Sequence, residues 1–187
     1  GNTVVRRFAP MSTYVPGPVG AFISTVYAPG VEALLAGDNP PILSSEVPAA
    51  NGIVTARGLA AMYSALAGDG TGPNGRLLSE STVRQLRRVQ TKKLDRTLYL
   101  PLNWRLGYHS FPSKGAPRAF GHIGLAGSGG FADPDSGLAF ALVHNRLPQA
   151  RYLAYDQTVL TWLTPMIVRA ARGADAVVPL RRRRTAS

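Results

Sequence analysis

Apolar positions follow two different periods along this chain, and the point where one gives way to the other divides it. After Thr55, the residues Leu59, Met62, Tyr63 and Leu66 recur at helical spacing, so residues 55–67 read as an amphipathic helix that Thr55 caps and Gly68 stops. Asp69 to Gly75 reads as a turn. Ser79 opens a second capped helix, with Glu80 at its positive N-terminal end, an apolar stripe of Val83, Leu86 and Val89, and a wet face of Arg84, Arg87 and Arg88. From Trp104 to Ser110 apolar and polar residues alternate, as in a half-buried strand. A strand through His122 and another from Leu138 to His144 follow, the latter entered by the turn Pro134-Asp135-Ser136-Gly137, where Gly suits a positive φ.

The last periodic stretch runs from Ala150 to Gly173, with Tyr152, Tyr155, Val159, Leu163, Met166, Ile167 and Ala170 on one side. Pro165 is expected to kink it or divide it in two. Residues 1–48 hold seven of the prolines and scattered glycines, which leaves room for one short helix, Val31 to Ala36, ended by Gly37. Two helices, then antiparallel strands, then a helix make an α+β arrangement. The expected organisation is an irregular segment at 1–48 wrapping the body, a folded body at 49–175 and a basic tail at 176–187.

Gly121-His122-Ile123-Gly124-Leu125-Ala126-Gly127-Ser128-Gly129-Gly130-Phe131 is the densest run of glycine, and it enters an almost wholly apolar strand ending at Asn145. Such glycines leave the backbone bare, as it must be where another segment or a ligand lies close. His122-Ile123-Gly124, Gly129-Gly130-Phe131 and Asn145 resemble the last motif region of the serine β-lactamase and penicillin-binding-protein superfamily, in its class C-like esterase branch. The stretch from Pro48 to Ala60 resembles the helix entry of that branch, so the resemblance covers residues 45–165.

That resemblance implies a partial β-lactamase-like fold, an antiparallel sheet with flanking helices, and acyl transfer by a serine nucleophile. The superfamily's Ser-x-x-Lys and Tyr/Ser-x-Asn motifs are both missing: Val89, Gln90 and Phe111 stand three residues before Lys92, Lys93 and Lys114. Because both motifs precede the matched segment in the family, the resemblance implies that these residues are the C-terminal part of a longer hydrolase. It also implies that the strand from Leu138 to His144 has an open edge, filled by the upstream half of the same protein or by a second copy.

Site residues follow from the same resemblance. His122 belongs to the proton network beside the nucleophile, and the backbone N–H of Leu125, directly after Gly124, is the second oxyanion donor. Ile123 stands where relatives acting on β-lactams carry a hydroxyl for the substrate carboxylate; isoleucine cannot supply one, which favours a neutral ester as substrate. Ile123 and Gly124 therefore belong to the substrate wall. Arg151 lies where some relatives hold a substrate carboxylate. Ser128 with Asp133 or Asp135 and His144 has the chain order of a catalytic triad, but it is confined to one hairpin and is set aside. His109 and His144 read as structural.

Charge and composition change little. The formal charge is +11, and 18 of the 21 basic residues are arginines, four of them in the run Arg181 to Arg184. Such a run is ordinarily a solvated tail, so neither nucleic acid nor a membrane is the expected partner; salt-sensitive anion binding would be its signature. The chain lacks cysteine, and its histidines and acids show no metal-ligand spacing. No metal or cofactor is called for. The rival to the esterase reading is a non-catalytic binding or structural domain that keeps the β-lactamase-like scaffold.

Overall fold

A computed structural model describes residues 31–34, 36–48, 52–96, 98–111, 113–124, 127–144 and 153–175. Helix α1 (Val31–Leu34) and a 3-10 turn (Pro41–Ser44) precede the body. Helix α2 (Ala56–Ala67) starts at Thr55, whose hydroxyl accepts the N–H of Gly58 at 3.0 Å, and ends at Gly68. A two-stranded ribbon, β1 (Thr71–Gly72) and β2 (Gly75–Arg76), occupies the stretch expected as a simple turn. Helix α3 (Glu80–Arg87) is capped by Ser79, which accepts the N–H of Thr82 at 3.1 Å. Val89 lies beyond its end.

The main sheet is antiparallel with strand order β3-β4-β5-β6, formed by β3 (His109–Ser110), β4 (Phe120–Ile123), β5 (Gly129–Ala132) and β6 (Ala139–Leu142). Together with the helices it makes an α+β fold, an antiparallel sheet with flanking helices. Of the stretch from Trp104 to Ser110, only its last two residues pair. Gly107 at φ +76° and Asn103 at φ +49° turn the chain before it reaches the sheet, and the N–H of Arg105 closes that turn on the carbonyl of Tyr108 at 2.8 Å. The β5–β6 turn forms as expected, with Gly137 at φ +74° and its N–H on the carbonyl of Asp133 at 2.9 Å. The buried Asp133 carboxylate accepts the backbone N–H groups of Asp135 and Ser136 and, at 2.6 Å, the Ser136 hydroxyl.

Alternation along the strands gives each face its own core. On one face α2 crosses β5 and β6, burying Tyr63, Leu66 and Ala67 against Phe120 and Ala132. On the other, Leu160 and Val168 of helix α4 (Leu153–Asp175) meet Phe111, Ala116, Ala119 and Phe131. Helix α4 is undivided, although Pro165 lies within it. Pro165 and Thr161, whose carbonyl loses its helical donor, are both exposed, so water can serve that carbonyl while Leu160, Thr164 and Val168 hold both halves from the inside. The inward stripe is therefore Leu160, Thr164 and Val168, with Met166 on the outside at 66% exposure.

Arginine 87 also departs from expectation. Instead of facing water, its guanidinium donates to the carbonyl of Leu66 at 2.8 and 3.0 Å and to that of Gly68, closing the C-terminal end of α2 from α3. Burial lowers its pKa, with the charge of Arg118 adding to the effect.

Glycines make the β4–β5 contact possible. A Cβ on Gly121 would collide with the carbonyl of Gly130, and one on Gly129 with that of His122. At Gly130 it would stand 2.6 Å from both the Phe140 carbonyl and the Tyr63 ring. Gly130→Ala is expected to lower the unfolding free energy by about 1–3 kcal/mol, because neither backbone nor a packed ring can yield cheaply. Urea unfolding checks it, and an unchanged midpoint would show that Tyr63 is loosely seated.

Candidate active site

His122 sits on β4 opposite Gly130. Strand alternation puts its side chain on the α2 side with Phe120, and Tyr63 of α2 makes a backbone hydrogen bond with His122. The imidazole is exposed at its tip, yet the protein around its flank desolvates it and lowers its pKa. It is a neutral acceptor at neutral pH, able to take and return a proton. Tyr63 is buried at 3% exposure and its pKa is raised, first by burial and then by Tyr108, so its phenol stays protonated. The Tyr63 and Tyr108 rings meet edge-on with centroids 6.0 Å apart, and burial also raises Tyr108.

Gly124 follows at the turn into β5. Its N–H is taken by the carbonyl of Ser128 at 2.7 Å and its carbonyl by the N–H of Gly127 at 3.1 Å. Gly127 has φ +93°, a conformation glycine adopts at little cost. An oxyanion donor at this turn must therefore come from a residue other than Gly124. Leu125 lies outside the described residues, as do Arg151, Asn145 and the run Arg181 to Arg184.

Ile123 leaves the strand on the face opposite His122 and packs, half-buried, against the core beneath α4. Its side chain and that of His122 do not converge. The described side chain thus packs on that core while remaining partly exposed. The hairpin triad is not assembled either. Ser128 accepts the backbone N–H of His144 at 3.2 Å, while Asp133 is spent on its own turn beyond the far end of β5.

His109, read from sequence as structural, stands beside His122 with ring centroids 5.7 Å apart. Trp104 approaches it edge-on at 5.8 Å. Nothing in the spacing of residues 104, 109 and 122 signals this cluster; it exists because β3 pairs with β4. No group of acids and histidines able to hold a metal is found among the described residues, and none of their helices is long and apolar enough to cross a membrane.

The resemblance rests on this glycine-lined hairpin and its histidine, and comparison with known proteins supports the family it implies. The Beta-lactamase family model matches residues 6–161. The chain belongs to the Beta-lactamase family. It is 50% identical over 129 residues to Esterase/beta-lactamase LipL of Mycobacterium tuberculosis (strain ATCC 25618 / H37Rv), a match covering 68% of this chain and 30% of that protein. A solved family VIII carboxylesterase superposes with a TM-score of 0.54 at 25% identity, over 76% of this chain and 40% of the other. The chain thus spans less than half the length of either relative.

Both site histidines have lowered pKa values, so the unfolded chain binds protons earlier than the folded one as pH falls. Stability therefore rises with pH across this window and is lost on acidification through the ordinary histidine range. The urea midpoint is expected to drop between about pH 7.5 and 5.5, and to drop less in His109→Phe, which removes the more buried ring. A pH-independent midpoint across that range would contradict the burial of these rings.

Proposed function

We propose that this chain supplies one side of the active site of a serine hydrolase that cleaves neutral carboxylic esters through an acyl-enzyme. The observation that carries the reading is the presentation of neutral His122 on a glycine-walled strand, in a chain of the Beta-lactamase family that is half identical to a protein named as an esterase and β-lactamase. In the reaction, a serine oxygen attacks the ester carbonyl, the alcohol leaves with a proton, and water releases the acid. His122 relays protons in that network, and the Leu125 N–H is one of two donors to the oxyanion. Arg151 contacts the polar end of the substrate.

The nucleophile comes from the part of the hydrolase that the relatives carry and these residues do not match. Support comes from the sequence, which holds neither Ser-x-x-Lys nor Tyr/Ser-x-Asn. A fluorophosphonate probe tests it: the chain alone is expected to remain unlabelled by intact mass, and a protein extended to the length of the relatives to be labelled on one serine. In that longer protein His122→Ala is expected to reduce ester hydrolysis by about 100-fold or more with its fold intact. Stoichiometric labelling of Ser128 in the chain alone would overturn the reading, and an extended protein that binds esters without turnover would favour the non-catalytic scaffold.

The same part of the hydrolase, rather than a second copy, covers β6. Among the described residues β6 is hydrogen-bonded to β5 alone, leaving the opposite edge for a further antiparallel strand. Amides on the outer edge of Ala139–Leu142 are expected to exchange rapidly in the chain alone and slowly in the longer protein, by hydrogen-exchange mass spectrometry. Slow exchange at all concentrations of the chain alone would show that its own residues cover the edge.

A further inference from the structure

His109 is held more tightly than a core histidine needs to be. It is 8% exposed, and its Nδ1 lies 3.0 Å from the carbonyl oxygen of Ser110. A carbonyl only accepts, so Nδ1 carries the proton and the neutral ring offers Nε2 as a lone pair. Phe111 stacks on one side at 5.4 Å and 24°, and Trp104 stands edge-on at 5.8 Å and 89°. Trp104 is itself fixed: its indole N–H donates to Asp95 at 2.8 Å, and its carbonyl accepts the N–H groups of Gln90 and Thr91 at 2.8 and 3.3 Å. Asp95 in turn accepts the N–H of Leu98 at 2.7 Å.

The His122 ring lies 5.7 Å away, inclined at 65°. Gly121 pairs with His109 and precedes His122 on β4, so strand pairing brings the two rings together. We propose that His109 is a positioning residue for His122, and that the two imidazoles act as a coupled pair carrying at most one positive charge, held by His122. The role rests on the reading of His122 as the proton relay; the coupling itself does not.

The other groups around the pair leave it that role. Tyr63 from α2 and Tyr108 from the loop before β3 stay protonated. The Asp95 carboxylate is engaged by Trp104 and Leu98. The Arg105 guanidinium lies over the Phe120 ring, 5.1 Å from its centroid, and donates to the carbonyls of Arg87 and Arg118. The charge of His122 bears on His109, and its protonation disfavours a second proton on the buried ring. A ring locked in one tautomer with an unprotonated Nε2 beside His122 holds the relay imidazole in one orientation and leaves it the only one of the two to cycle protons.

Imidazole nitrogen NMR of the chain, titrated with pH, tests the pair. In the wild type His109 is expected to show the Nδ1–H tautomer at neutral pH and to titrate below His122. In His122→Gln, a change at an exposed position, the His109 midpoint is expected to rise by about half a pH unit or more. In His109→Phe, which keeps an aromatic ring against Phe111 and Trp104, His122 is expected to lose its single orientation and show averaged tautomers. A His109 midpoint unmoved in His122→Gln, or an Nε2–H tautomer at His109, overturns the proposal, and that readout stands even if His109→Phe fails to fold. Coupling that holds while the longer protein hydrolyses esters without His122 would instead refute His122 as relay.

Discussion

Strands β4 and β5 approach so closely at Gly121 and Gly129, and β5 and β6 at Gly130, that a single methyl group at any of them would strike backbone, and this bare sheet sets the position of nearly everything else. Tyr63 lies on the sheet at Gly130, which draws α2 across β5 and β6 and buries Leu66 and Ala67 beside it. The ring that seals the core is therefore also the floor beneath His122. Pairing of β3 with β4 brings His109 beside His122. The glycine density is a packing requirement and a site requirement together.

Several arginines of this fold donate to backbone carbonyls. Arg87 closes the end of α2, Arg105 reaches the carbonyls of Arg87 and Arg118, and Arg172 reaches that of Gly115. Each planar guanidinium can satisfy several carbonyls that a loop or helix end leaves unpaired, which a lysine could not do in the same geometry. Arg118 is different, gripping Asp135 through two nitrogens and tying the segment before β4 to the β5–β6 turn.

The legible parts of the fold were those governed by neighbours in sequence. Thr55 and Ser79 cap their helices through N–H groups three residues on, and Gly137 turns the hairpin it occupies, so both the elements and their limits could be read locally. The missing Ser-x-x-Lys was legible too, being a statement about composition and spacing. The stripe of α4 is legible only in part, because its period admits neighbouring rotations: Ile167 packs on the core as expected, but the sheet's own apolar face centres the buried line on Leu160, Thr164 and Val168. Of the two outcomes expected at Pro165, a kink or a division, the helix is not divided: exposed, the proline costs a hydrogen bond that water can replace.

By itself the sequence determined the helices, the hairpin, the glycine-lined strand and its membership of a hydrolase-like scaffold, since each follows from contacts within a few residues or from a motif. Tertiary structure decided what the side chains do. Arg87 meets Leu66 from 21 positions away, Arg172 meets Gly115 across 57, and His109 finds His122 through strand pairing. It also sent Ile123 into the core while His122 faced the other way, because a strand alternates its sides and only the packing of α2 and α4 names which side is the site.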